Sequence, residues 1–264
     1  MGSRITDNLL VTDHEVLYVE VSDNGQQLLH SKGLAVTSQQ EAVQQADAVI
    51  LAVPDAAIEA VAREIVADMQ TNALLMLLDP AAAYLEKIPK RGDVALFVAH
   101  PCHPPIFNDE TTPEAKRDYF GGVAAKQAIV CALVQGTEEH YAVGEYLGRI
   151  IYAPVMRSHR LTLEQMATLE PAMAETIGAT VALLLSEAMG EAVNKGVPQA
   201  AARDFMLGHL NILLAVSFGV AGNPLSDACL VAVEFGKEHL LKDDWQQLLT
   251  AESVREQIEK MLKT

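Results

Sequence analysis

The sequence predicts an α/β fold: a Rossmann-type parallel sheet followed by an all-helical domain. Between residues 16 and 134, short apolar runs alternate with amphipathic helical stretches, the pattern of a parallel sheet covered on both faces by helices. After Pro154 the alternation stops and long apolar helical stretches take over. A strand-like run also ends in an acidic residue, Glu20, 18 residues after Gly2. That interval matches the distance from a glycine turn to the ribose-binding acid of a dinucleotide site. The expected division is 1–154 as a nucleotide-binding domain and 155–264 as a helical substrate and dimerisation domain.

The elements follow in order. "EVLYVEV" (15–21) alternates like a strand, and "DAVILAV" (47–53) is a continuous apolar run, as a strand buried on both faces requires. "ALLMLLD" (73–79), "VALFVAH" (94–100) and "AIVCALV" (128–134) repeat that form. Residues 55–68 read as a helix, because Ile58, Val61, Ile65 and Val66 recur at helical spacing. Residues 162–195 form one long helical stretch, with a kink expected at Pro171. Gly196 suits its C-terminal cap and Pro198 the start of the next helix, 199–220. Helices this apolar fit a subunit interface or an intrachain core, and a homodimer is expected.

Composition narrows the partners. The 264 residues are 50% apolar and carry a net charge of −16, the wrong sign for nucleic acid or an acidic membrane surface. The uninterrupted apolar runs are too short to span a membrane, and no basic segment with an apolar core marks a signal peptide. Cys102, Cys131 and Cys229 are scattered and odd in number, which suits a reduced cytoplasmic protein.

A dinucleotide site needs a strand, a glycine-rich turn, a helix and a second strand. Here Gly2 opens a helix, and no strand precedes it. "MGS" reads either as a cloning remnant or as the tail of a G-x-G-x-M-G turn. The helix and acid that follow in phase favour the second, so the first strand and glycines are expected upstream of Met1. Glu20 favours NAD over NADP, since it would repel a 2′-phosphate. Met1, Gly2, Glu20, Val53, Pro54 and Asp79 are the expected cofactor contacts.

"LAVPD" (51–55), "LDPAA" (78–82), "HPCHPPIFNDE" (100–110), "FGGVAAKQAIVCAL" (120–133) and "MRSHRLTLEQMATLEPAMAET" (156–176) carry a resemblance over nearly the whole chain. The sequence resembles the D-apionate oxidoisomerase group, within the 6-phosphogluconate dehydrogenase-like and 3-hydroxyacid dehydrogenase superfamily. The resemblance implies an NAD-dependent enzyme that oxidises D-apionate, a branched sugar acid, and rearranges it to 3-oxo-isoapionate. Two other readings stay open. One is a non-catalytic, degenerate Rossmann dimer. The other is a prephenate-dehydrogenase-like enzyme, suggested by a strand ending in His-Pro.

The candidate chemistry sits at strand ends. His100 closes a strand, where open α/β sheets bind ligands, and could act as base or metal ligand; His103 follows it. Glu170 precedes the helix-interrupting Pro171 and could share a metal with His100, zinc being favoured for mixed nitrogen and oxygen donors. Pro101 is expected to turn Cys102 away. Arg157 and Arg160, with Lys126 as a weaker candidate, could hold the carboxylate of an anionic sugar acid; the alternative for the arginines is surface ion pairing. The G-x-x-K-x-x-N lysine pattern of related dehydrogenases is absent, leaving Glu170 or His100 to act as acid/base.

Overall fold

The structure, a computed structural model, describes Gly2 to Lys263; the expected contact at Met1 lies outside these residues. The chain divides into two compact units, one running to Leu169 and taking up Ile258 onward, the other Glu170–Gln257.

The first unit is built on a five-stranded sheet in the order β1-β2-β3-β4-β5. The strands are β1 (Ala48–Leu51), β2 (Leu74–Leu77), β3 (Ala95–Pro101), β4 (Gln127–Gln135) and β5 (Val155–Arg160). The pairs β1/β2, β2/β3 and β4/β5 are parallel, and β3/β4 is antiparallel. The run 128–134, expected to continue a parallel sheet, thus turns back along its neighbour.

Side-chain alternation sorts the core into two layers. Leu75, Leu77, Val98 and Val130 face one side, packed with Ile58 and Ile65 of α4 (Asp55–Ile65) and Met166 of α7 (Leu163–Ala167). Leu74, Met76, Phe97, Ile129 and Cys131 face the other, packed with Ile5 and Leu9 of α1 (Gly2–Leu9) and Tyr141 and Ile151 of α6 (Glu138–Ile151). Helices cover both faces, as the alternating sequence requires.

Two expectations need correction. The run 15–21 is not a strand: Tyr18 makes a single parallel bridge to Val36. Val19 and Val21 are exposed, so its alternation has no ladder to serve. "MRSHR" is not a junction but part of β5, which moves the unit boundary from 154 to Leu169. At Pro171 the long helix changes its winding and is not a continuous α-helix. Thr168–Ala179 winds as a π-helix between α7 and α8 (Thr180–Asn194). Proline lacks the N–H and crowds the carbonyl one turn back, and a wider turn accommodates both.

In the second unit, α8 ends at Lys195 and Gly196 has φ +96, the left-handed residue that closes a helix. Pro198 caps α9 (Gln199–Ser217), and α10 spans Asp227–Leu240. Neither α8 nor α10 buries a residue, and α9 buries only Ala202 and Ala215. The helical run Leu163–Asn194 is long and apolar enough to cross a membrane by length and composition, against expectation. Counting unbroken apolar runs missed it, because glutamates punctuate the stretch.

Candidate active site

Strand register assembles the site. Leu51 pairs with Leu77, and Leu77 with Val98. Two residues further on along each chain stand Val53 and Asp79, just past β1 and β2, and His100, the penultimate residue of β3. Alternation points Asp79 and His100 to the Val98 face, and their ligand atoms lie within 4.8 Å of one another. This rim of an open α/β sheet is where ligands bind.

The two side chains are prepared differently. Asp79 Oδ1 accepts the Ala81 N–H at 2.7 Å, which fixes its carboxylate at the start of α5 (Ala81–Tyr84). His100 Nδ1 lies 2.9 Å from the Pro101 carbonyl oxygen. A carbonyl only accepts, so Nδ1 carries the proton and Nε2 presents the lone pair. Burial, then the charge of His103, depress the His100 pKa to about 4, against the opposing effect of the Pro101 hydrogen bond. The imidazole is therefore neutral at physiological pH, the form that takes a proton or binds a cation.

His103 stands on the exposed loop after β3, its ring centroid 6.2 Å from that of His100. Its φ is +60. Cys102 is exposed, and burial of its thiol group raises its pKa despite nearby Arg157. Val53 and Pro54 precede α4, with Pro54 as its N-cap. Nothing stands within 4 Å of where a Cβ at Gly2 would lie, so the amino end of α1 is open to close approach. Glu20 Oε1 accepts the Ser22 N–H at 2.8 Å; that bond outweighs partial burial and lowers its pKa.

The two arginines part company. Arg157 pairs with Ala128, two residues from Val130, and so shares the His100 face. Arg160 is on the opposite face, its guanidinium 4.1 Å from the Tyr141 ring. It donates to both Glu138 carboxylate oxygens, at 2.5 and 2.6 Å. That fork engages α6, the surface ion pairing that is the alternative reading for the arginines. Lys126 is exposed, and its backbone N–H donates to Glu110 at 2.8 Å. Glu170 opens the second unit, within the π-helix. Sequence reasoning missed His159, which register places opposite Val130, itself opposite His100. Reading "MRSHR" as a strand would have found it.

Residues 108–262 match the family model described as phosphogluconate dehydrogenase (decarboxylating) C-term, and residues 1–80 match NADP oxidoreductase coenzyme F420-dependent. A D-apionate oxidoisomerase of Cupriavidus necator is 50% identical over 99% of this chain and 95% of its own length. One from Rhizobium rhizogenes is 47% identical over the same shares. A crystal structure of a semialdehyde dehydrogenase NAD-binding protein from Cupriavidus necator, in complex with calcium and NAD, superposes with a TM-score of 0.96. It is 50% identical and covers 98% of this chain and 95% of that one. On this identity over nearly its whole length, the chain belongs to the D-apionate oxidoisomerase family.

Proposed function

We propose that the protein is an NAD-dependent oxidoreductase that oxidises D-apionate and rearranges it to 3-oxo-isoapionate. The observation that carries this reading is the row of Asp79 and His100 at the carboxyl rim of the sheet, together with the family. Gly2 leaves room for a pyrophosphate at the amino end of α1, and Glu20 offers the ribose an ionised acceptor. NAD, when bound, supplies the hydride acceptor. His100 Nε2 is the group that takes the substrate hydroxyl proton or ligates a cation. Arg157, on the same face, suits the carboxylate of the sugar acid.

Glu170 completes the site in this reading. Met166 and Ala167, one turn earlier, are buried against the first unit's core, and Leu169 packs there too. The helix is thus anchored on the His100 side just before Glu170. Asp79, His100 and Glu170 would together form a mixed carboxylate and imidazole set of the kind zinc accepts, whereas calcium takes six to eight oxygens. A bound cation would polarise the substrate oxygen. The exposed apolar faces of α8, α9 and α10 are assigned to a second copy of the chain. A reducing cytoplasm suits the free cysteines.

The test is NADH formation from NAD⁺ and D-apionate, with product identification. His100→Ala, Asp79→Asn and Glu170→Gln should each abolish turnover and leave NAD⁺ affinity within about twofold, since they act on the reacting centre rather than on cofactor binding. Metal analysis should find about one divalent ion per chain, lost in the variants. Absence of NADH from the unmutated protein overturns the activity; full activity without bound metal overturns only the cation.

A further inference from the structure

The loop from Asp118 to Ala125, buried at Gly121, Gly122 and Ala125 and exposed at Phe120 and Val123, is firmly held. Asp118 Oδ2 accepts three successive backbone N–H groups, from Val123 at 3.1 Å, Ala124 at 2.9 Å and Ala125 at 3.1 Å. Gly121 and Gly122 take φ values of +74 and +81, and a Cβ at Gly121 would fall 2.5 Å from the Gln127 side chain. Asn8 of α1 donates to the Gly122 carbonyl at 3.3 Å and the Ile151 carbonyl at 3.1 Å, which ties the loop to two helices. Yet the loop carries Phe120 with 64% of its surface exposed. Rigid backbone under an exposed aromatic ring is a costly arrangement, because the ring gains little burial in return.

What Phe120 touches explains the arrangement. The guanidinium carbon of Arg4, in the first turns of α1, sits 4.9 Å from the ring centroid, within cation–π range. The Phe120 ring meets His103 edge-on at 6.1 Å, and the Phe120 carbonyl oxygen lies 2.8 Å from His103 Nδ1. That carbonyl accepts, so Nδ1 holds the proton and Nε2 is the nitrogen left for a ligand. His103 in turn meets His100 edge-on. His103 pays backbone strain for this place, its φ of +60 being one that side-chain-bearing residues seldom adopt.

We propose that Arg4 and Phe120 are positioning residues that act through His103, fixing its Nδ1–H tautomer and aiming Nε2 at the substrate beside His100. This rests on the catalytic reading of the Asp79 and His100 rim given above. Arg4 clamps the ring, the ring and carbonyl of Phe120 clamp the imidazole, and the Asp118 turn keeps the carbonyl in place. His103 Nε2 then accepts a hydrogen bond of fixed direction from a substrate hydroxyl without rotating to find it.

The experiment compares Arg4→Ala, Arg4→Lys and Phe120→Ala with the unmutated protein. Arg4→Ala and Phe120→Ala should lower kcat about fivefold, the order expected from losing one part-exposed cation–π contact. The Kd for NAD⁺, from fluorescence titration, should stay unchanged. Arg4→Lys keeps a cation over the ring and should restore most of kcat. Imidazole ¹⁵N shifts, with His103 assigned by its loss in His103→Gln, should report the Nδ1–H form in the unmutated protein and a tautomer mixture in Phe120→Ala. A weakened NAD⁺ Kd with kcat intact would make Arg4 a cofactor contact and overturn the proposal. Unchanged His103 shifts in Phe120→Ala would overturn it as well. The shift measurement needs no turnover, so it stands apart from any failure of the proposed activity.

Discussion

Glu20 is the carboxylate proposed to select the cofactor. Its Oε1 is held by the Ser22 N–H and its pKa is lowered, so it is an ionised acceptor ready for ribose hydroxyls. A 2′-phosphate would bring about two further negative charges to the same place. Glu20→Ala should weaken NAD⁺ binding about tenfold, the value of hydrogen bonds to a charged group, and narrow the gap between NAD⁺ and NADP⁺ in calorimetric titrations. Equal affinity of the unmutated protein for both cofactors would refute this. Other side chains were legible only in part. His100 at a strand end was visible from the apolar run before it, but its neighbour Asp79 was assigned to cofactor alone. Pairing "ALLMLLD" with "VALFVAH" in register would have put the two side chains side by side. Arg157 and Arg160 were treated together although three residues apart. In a strand that spacing places them on opposite faces, as their neighbours Ala128 and Tyr141 now show.

The join between β3 and α6 is where packing tolerates least. Phe97 is 0% exposed and meets Tyr141 edge-on at 5.6 Å. Gly144 of α6 lies flat against that ring, and a Cβ there would fall 2.6 Å from Phe97 carbons. The ring is fixed on all sides, so helix and sheet would have to separate. Gly144→Ala should destabilise the protein by about 1–3 kcal/mol in urea unfolding despite alanine's better helix propensity, as overpacking in cores does. An unchanged or raised midpoint would show that α6 can shift at no cost. Strands β1 to β3 and helix α4 were legible because their buried faces impose period and composition. The direction of β4 was not, because an apolar run buried on both faces looks the same whichever way its neighbour runs. Nor was the π-helix: Pro171 announces a disturbed ladder but not whether the chain bends or widens around it.

The change of pattern after Pro154 correctly announced a second, helical unit, although β5 carries the first unit on to Leu169. That second unit poses the largest energetic problem in the molecule. Leu183, Phe205, Phe218, Val231 and Phe235 are each more than three-fifths exposed, and α8 and α10 bury nothing. Apolar area on this scale costs about 25 cal/mol for each Å² left in water, and monomers rarely carry such patches. Three occupants could cover it: a copy of the same chain, a different protein, or lipid. The net charge of −16 opposes anionic lipid, and the helical run long and apolar enough to span a membrane begins in α7, whose Met166 and Ala167 are already buried within the protein. A copy of the chain offers the same apolar faces and so is self-complementary, as a two-fold interface requires. Light scattering at about micromolar concentration, where obligate dimers of this kind persist, should therefore report twice the 28.5 kDa chain mass. Phe205→Glu combined with Phe235→Glu should shift it toward monomer by placing charges in a desolvated interface. A monodisperse monomer with a folded helical unit would refute the assignment, and co-sedimentation with neutral lipid vesicles would transfer the surface to a membrane.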